Sequence, residues 1–504
     1  MPAADATQEE ILARIAGLED ALRAAEAENR LLREMLRLAR IRMFGPAAER
    51  LSDLQLELLE TEPSAVKEEL DAEADQPPPP KSSPRRRRHP GRTPLPAHLP
   101  RREEIVACEP SQCRCGCCGA EKKLIGFEQT EELAVIPAQY YVRLIKREKR
   151  ACPEHPEDGV ATAPVPPKIL PKAKVSSELL IEMAVAKYRD HKPLYRQAMS
   201  LESDAGVELD QQTICGWMMS FGELLRPVAK AQWADLLVGG YIQADETPVP
   251  VRGSGGYRQA WMWEYGRPKG PVIFEFSTSR GRDGPRELLK KFGGLLQHDD
   301  YAGYNGVGGN GVVHLGCWAH SRRKFFEAHQ LDKDNAALRG VIETIKDLYA
   351  VEADAREQNL DSAERSAMRK QRSAPILESL KSKITALRAS ALPASKAAEA
   401  CNYALGNWGL LTRYVDHGLA EIDNNWAENA IRPLALGRKN WLHIGSEAAG
   451  PKVAAIVSIF ATCKRLDIDV RAYLLDVLVK LPAWPINRVA ELTPTAWKAA
   501  RAAA

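Results

Sequence analysis

Gly-Tyr-Ile-Gln-Ala-Asp at 240–245 and Gly-Leu-Leu-Gln-His-Asp at 294–299 decide the fold. Each is a short strand-like run that ends on an aspartate, Asp245 in the first and Asp299 in the second. A third acid, Glu428, lies far downstream in the helical stretch Asp-Asn-Asn-Trp-Ala-Glu-Asn-Ala-Ile-Arg-Pro (423–433). Two strand-end aspartates and a helical glutamate suit a pair of hard divalent cations, which prefer oxygen ligands. Two such ions about 4 Å apart can clamp the attacking and leaving oxygens of a phosphodiester. The expectation is an enzyme that cuts and joins DNA.

The surroundings of these runs set the fold class. Tyr241–Val251, Gln259–Tyr265 and Val272–Thr278 form an expected three-stranded meander, followed by a helix at Gly284–Phe292, a strand to Asp299, a strand at Val312–Trp318 and a helix from His320. The order is that of a ribonuclease-H-like core, β-β-β-α-β-α-β-α. In that core the first and fourth strands run side by side, which would bring Asp245 and Asp299 together. Residues 330–400 are rich in Ala, Leu, Glu, Lys and Arg and predict a helical insertion before the helix of Glu428.

At 504 residues the chain exceeds one core, so several units are expected. No run of 18 apolar residues and no secretory signal is visible, which points to a cytoplasmic protein. The net charge of +3 hides an asymmetry: residues 51–80 carry nine acids and one base, residues 81–102 eight bases and no acid. Pro77–Pro80, Arg85, Arg86, Arg87 and Arg88 mark a disordered linker whose arginines would grip phosphates, or only keep it solvated. Upstream, Ile15, Leu22, Leu36 and Met43 alternate with Ile11, Leu18, Ala25, Leu32 and Ala39 at heptad spacing, with Asn29 at a polar core place. That pattern predicts a two-stranded coil and self-association as a homodimer; the alternative is an amphipathic helix packed on its own domain.

Six of the ten cysteines crowd into Cys108–Cys152. Cys115 and Cys118 form one ligand pair; Cys152 and His155 form another of the same spacing. Two such knuckles fit one structural Zn2+ in a closed Cys3His site, with Glu131–Arg147 as a hairpin between them. Cys108, Cys113 and Cys117 compete as ligands, and a small core of free thiols is the alternative. Helices at Val175–Tyr188, Leu194–Ala205 and Asp210–Leu225 resemble a helix-turn-helix that would offer Gln211, Gln212 and Thr213 to a DNA groove.

The motifs Ala244-Asp-Glu-Thr-Pro-Val249, Gln297-His-Asp-Asp-Tyr-Ala-Gly-Tyr304, Cys317-Trp-Ala-His-Ser-Arg-Arg-Lys-Phe325, Asn424-Asn-Trp-Ala-Glu428 and Gly437-Arg-Lys-Asn-Trp441 resemble the large-subunit transposase of the insertion-sequence-sixty-six group, a TnpC-type DDE transposase. The resemblance runs nearly full length. It implies strand cleavage and strand transfer at terminal inverted repeats, with Asp245, Asp299 and Glu428 holding two Mg2+ (or Mn2+). It also implies double-stranded DNA as element ends and target, and accessory transposition proteins as possible partners, with no membrane. His320, Arg322 and Arg323 would position phosphate or water, or merely cap and solvate their helix. Arg438 and Lys439 would touch the DNA backbone. Asp300 stands where the family usually has Gly, so Asp299 takes the metal and Asp300 does not. A non-catalytic DNA-binding descendant of a transposase and a repair nuclease are the competing functions.

The expected fold class is multidomain α+β: a coil over 1–60, an acidic and basic linker over 61–102, a small zinc module over 103–164, a helix-turn-helix-like region over 165–235, the ribonuclease-H-like catalytic domain over 236–480 with its α-helical insertion near 327–405, and a tail over 481–504.

Overall fold

The computed structural model describes residues 139–151, 160–171, 173–253 and 255–502, and five single positions between 113 and 127. The expected coil, the Arg85–Arg88 run and all four preferred zinc ligands, Cys115, Cys118, Cys152 and His155, lie outside the described residues. Residues 139–148 carry no strand, so the described half of the hairpin expected over Glu131–Arg147 is absent; Val142 is 93% exposed there. The antiparallel pair lies just downstream instead. Strands β1 (Lys149–Ala151) and β2 (Val160–Thr162) pair with Ala151 opposite Val160.

The main body starts with helices α1 (Ser177–Tyr188), α2 (Leu194–Ala205) and α3 (Gln211–Val238). Gly206, at φ 64°, turns the chain between α2 and α3, a left-handed conformation that glycine adopts without a Cβ clash. Helix α3 runs 13 residues beyond its expected end at Leu225. Pro227 interrupts its hydrogen bonding, at a cost of about 3 kcal/mol. The helix continues because Val228, Ala229, Gln232 and Leu236 prolong its buried stripe.

A five-stranded sheet follows: β3 (Tyr241–Gly253), β4 (Gly256–Gly266), β5 (Val272–Ser277), β6 (Leu295–Gln297) and β7 (Val313–Leu315), in spatial order β5-β4-β3-β6-β7. The meander is antiparallel, while β6 runs parallel to β3 and β7 parallel to β6. Helix α4 (Asp283–Leu289) connects β5 to β6. Between β6 and β7 there is no α-helix, only a 3-10 turn at Ala302–Tyr304, where the expected strand–helix order called for one. Gly306, Gly308 and Gly311 all take positive φ there, which a helix cannot accommodate.

Both sheet edges are covered. Thr462 and Ser458 hydroxyls accept from the Val272 and Phe274 amides of β5, and the Arg413 guanidinium donates to His314 O of β7. An unpaired edge would otherwise invite another strand. Pro248 and Pro250 fit inside β3 because β6 reaches only as far as Gln243. Beyond it, the even-numbered residues of β3 face an open side, where Arg252 N donates to Ile444 O and Ile444 N to Pro250 O.

Helix α5 (Trp318–Leu331) leads into α6 (Ala336–Glu357), α7 (Ser362–Met368), α8 (Ala374–Ser390), α9 (Lys396–Gly406) and α10 (Trp408–Thr412). This insertion packs Leu338, Ile345, Leu348, Leu380 and Ile384 against Trp318 and Phe325. Helices α11 (Asn425–Trp441), α12 (Gly450–Arg465), α13 (Val470–Lys480) and α14 (Pro494–Ala502) close the chain. The last turn is tied down, with Tyr473 donating to Leu492 O at 2.7 Å and Trp497 to Asp476 at 2.8 Å.

One buried ion pair fixes the insertion to the segment before α11. Arg369 (1% exposed) donates twice to Glu352 (0%), at 2.7 Å each, and also to the carbonyls of Tyr414, His417 and Ala420. Burial pushes the Glu352 carboxyl up, but Arg369 and Arg365 outweigh it and hold the group below its ordinary value. Removing one partner strands a buried charge. Arg369→Met is therefore expected to lower stability by about 3–5 kcal/mol in denaturant unfolding, and an unchanged midpoint would contradict the role given to the pair.

Candidate active site

Alternation along β3 assigns its side chains to two layers. Ile242 and Ala244 pack with Trp263, Tyr265 and Leu296 on one face. Gln243 faces the other way and meets the start of α11. Asp245 shares the Gln243 side, because side chains two apart on a strand point together. Asp299 sits two residues beyond the end of β6, past the strand that was expected to reach it; its carboxylate accepts from Tyr301 N at 2.9 Å, and this local turn ends the strand. Glu428 lies in the first turn of α11.

Fully buried glutamine carboxamides hold these elements in register. Gln243 donates to Asp423 O (2.7 Å) and to Gln297 Oε1 (3.0 Å), and accepts from Ala427 N (3.2 Å), one residue before Glu428. Gln297, two residues before Asp299, donates to Gly316 O at 3.0 Å and Glu421 O at 2.9 Å. The Tyr241 hydroxyl bonds Gln297 Oε1 and accepts from Gln243 at 2.7 Å. Strands β3 and β6, the turn after β7 and the entry to α11 thus share one polar layer.

Charge accumulates where the three acids approach. Burial, then the charges of Glu428, Glu246 and Asp299, push Asp245 well above the usual carboxylate range. Glu246 lies on the opposite face, 1% exposed in its side chain, and accepts from Arg280 (3.0 and 2.7 Å) and from the Tyr304 hydroxyl (3.0 Å). Arg280 itself stacks over Tyr301 at 3.8 Å. Asp299 is half-buried, while Asp300 is exposed to solvent. Arg323 approaches Glu428 Oε2 at 3.4 Å and His320 Nδ1 approaches Glu428 Oε1 at 3.6 Å.

The acids fit hard cations. Their donors are carboxylate oxygens, and the burial and neighbouring negative charge that raise Asp245 are what a divalent ion offsets. Glu428 Oε1 is also buried without a hydrogen-bond partner, a position that calls for a ligand. Among the described residues, one trio of metal-capable side chains has all its donor atoms within 4.8 Å: Cys317, His320 and Glu428.

Other anticipated contacts fall elsewhere. Gln211, Gln212 and Thr213 are exposed in the first turn of α3, beside the exposed acids Glu208 and Asp210. Lys439 is exposed, whereas Arg438 is part-buried and its guanidinium donates to Pro248 O. Arg322 is half-buried. Sequence inspection missed Gln243, Gln297, Glu246, Arg280 and Cys317. The first two carried a signal, the spacing Gln-x-Asp shared by both strands.

The family model described as "Transposase IS66 family" matches residues 172–452, and the "IS66 C-terminal element" matches 458–495. The "zinc-finger binding domain of transposase IS66" matches 112–154, and "Transposase C of IS166 homeodomain" matches 31–103. The chain belongs to the IS66 transposase family. Two relatives from Sinorhizobium fredii are uncharacterized proteins: y4qI, 34% identical over 81% of this chain and 79% of its own length, and y4hP, 29% identical over 90% and 85%. Among the described residues no helix is long and apolar enough to cross a membrane.

Gln243→Leu is expected to leave Asp423 O and the α11 entry short of partners, at roughly 1–3 kcal/mol per buried group. Hydrogen exchange at residues 423–428 should accelerate while that of α8 stays unchanged; unchanged exchange at 423–428 would remove the clamp role.

Proposed function

We propose that this chain is an active DNA transposase that cleaves strands at the terminal inverted repeats of its element and joins them to target DNA. The observation that carries the reading is the convergence on Asp245: the sheet pairs its strand with the one leading to Asp299, while Gln243 fastens the helix of Glu428 beside it. The strand order β5-β4-β3-β6-β7, with one antiparallel meander and two parallel additions, supports a ribonuclease-H-like core. Asp245, Asp299 and Glu428 would hold two Mg2+ or Mn2+ ions, which supply activation of an attacking oxygen and stabilisation of a leaving one.

The chain's own residues orient this chemistry. Asp245 is the acid whose carboxyl is pushed up by burial and then by the charges of Glu428, Glu246 and Asp299. Arg323 holds one oxygen of Glu428 and leaves the other unbonded. Lys439 and Arg322 offer positive charge toward a phosphate backbone, and the Arg85–Arg88 run adds a sequence-independent grip. The exposed amides and hydroxyl of Gln211, Gln212 and Thr213 would read bases rather than phosphates, since Glu208 and Asp210 flank them and repel anions.

Zinc belongs to the N-terminal module. Strands β1 and β2, which pair Ala151 with Val160, flank in sequence the stretch that carries Cys152 and His155. With Cys115 and Cys118 these complete a four-ligand structural site. The coil would then pair two chains, so that two catalytic domains face two element ends.

Asp245→Asn is expected to reduce metal-dependent cleavage of end-containing DNA roughly a thousandfold or more without loss of fold. Asp300→Asn should cleave close to the parent rate. Cleavage unchanged in Asp245→Asn, or abolished in Asp300→Asn and not in Asp299→Asn, would overturn the assignment. Elemental analysis supplies the separate check on zinc: Cys152→Ser should lose the bound ion, and full retention would exclude this ligand set.

A further inference from the structure

Cys317 ends the loop before α5 and His320 follows three residues later, so both side chains lie on one face of that helix and point at the first turn of α11. Their donor atoms and a Glu428 oxygen all fall within 4.8 Å of one another. The three are not equivalent. Cys317 Sγ, fully buried, already accepts from Asn424 N at 3.5 Å and so secures the loop that leads into α11. His320 Nδ1 and Glu428 Oε1 have no such engagement. They stand 3.6 Å apart, too far for a hydrogen bond, and each is a buried atom without a hydrogen-bond partner. An orphaned nitrogen facing an orphaned carboxylate oxygen costs stability unless something lies between them. An ion with bonds of about 2.1 Å spans up to about 4.2 Å between two donors, so a single cation bridges this gap.

We propose that His320 is a direct nitrogen ligand of the cation that Glu428 holds, and that this half of the site takes a first-row transition ion such as Mn2+ in preference to Mg2+. The inference rests on the acidic triad proposed above and adds to it a ligand of different chemistry. Imidazole is a borderline donor that Mg2+ binds poorly, while transition ions accept nitrogen and oxygen together. Arg323 and Cys317 then act as positioning residues. Arg323 restrains the far oxygen of Glu428, and Cys317 fixes the α11 entry through Asn424. The aspartate half of the site keeps an all-oxygen donor set, so the two ions need not be the same element.

The test is pulsed electron paramagnetic resonance on the full chain loaded with Mn2+, read for coupling of the ion to a directly bound nitrogen, with affinities from titration. The inference expects a nitrogen coupling in the parent protein that disappears in His320→Ala, with Mn2+ affinity lowered roughly tenfold or more and Mg2+ affinity nearly unchanged. Mn2+ binding that requires Asp245 and Glu428 but shows no nitrogen coupling would overturn the His320 assignment and leave the acidic site standing. A coupling that survives His320→Ala arises from another nitrogen and overturns it equally. Mn2+ binding insensitive to Asp245→Asn and Glu428→Gln would overturn both readings. Normal circular dichroism and unfolding of each variant separate these outcomes from misfolding.

Discussion

The hydrogen bonds of the Gln243 carboxamide are the constraint on which the site depends. They join a strand and a helix 180 residues apart in sequence at the end where the acids lie, while Arg438 and Ile444 tie the far end of β3 to the same region. Gln243 is fully buried, donates to the carbonyl of Asp423 and accepts from the amide of Ala427. A buried carboxamide with one end unsatisfied is costly, so the pairing specifies the docking geometry instead of merely favouring contact. Gln297 applies the same logic to the second strand, and Tyr241 links the two glutamines. The acids add little to this layer: Glu428 meets Arg323 at 3.4 Å, and Asp299 bonds only the amide of its own turn. Neutral groups behind them fix the strands and the helix that carry them.

Repulsion among the acids is managed unevenly. Glu246 is neutralised by Arg280 and Tyr304 on the far face, so it needs no ion. Glu428 has a partial partner in Arg323, at 3.4 Å. Asp245 receives only the amide of its own neighbour, Glu246 N at 2.9 Å. Asp299 likewise receives only a backbone amide, Tyr301 N at 2.9 Å, so among the described residues neither aspartate accepts a hydrogen bond from a cationic side chain. The insertion helices serve the site indirectly, because Arg369 and Arg365 pin residues 414–421 and thereby the approach to α11.

Much of this was legible in the sequence, because it depends on periodicity and on residues with few alternative uses. The meander and the helical insertion follow from alternation, from glycine at strand starts and from a run rich in helix formers, whereas the aspartates do not end their strands: Asp245 lies inside β3 and Asp299 two residues past β6. The length of α3 beyond Leu225 was not legible, since Pro227 interrupts helical hydrogen bonding and only tertiary burial carries the helix on to Val238. The absence of a helix between β6 and β7 was foreseeable from the glycines at 306, 308, 309 and 311. The glutamine layer was present as Gln-x-Asp in both strands, but a buried amide declares its partners only in three dimensions. Arg438 shows what charge counting leaves out: part of its guanidinium is engaged with the carbonyl of Pro248.

The central claim is that Asp245 lies between two cations shared with Asp299 and Glu428. Anomalous scattering from the protein crystallised with Mn2+ and a cleaved element end measures it directly. The account predicts two peaks about 4 Å apart, with an Asp245 carboxylate contacting both. A single peak away from Asp245, or ions bound by Asp300 in place of Asp299, would contradict it.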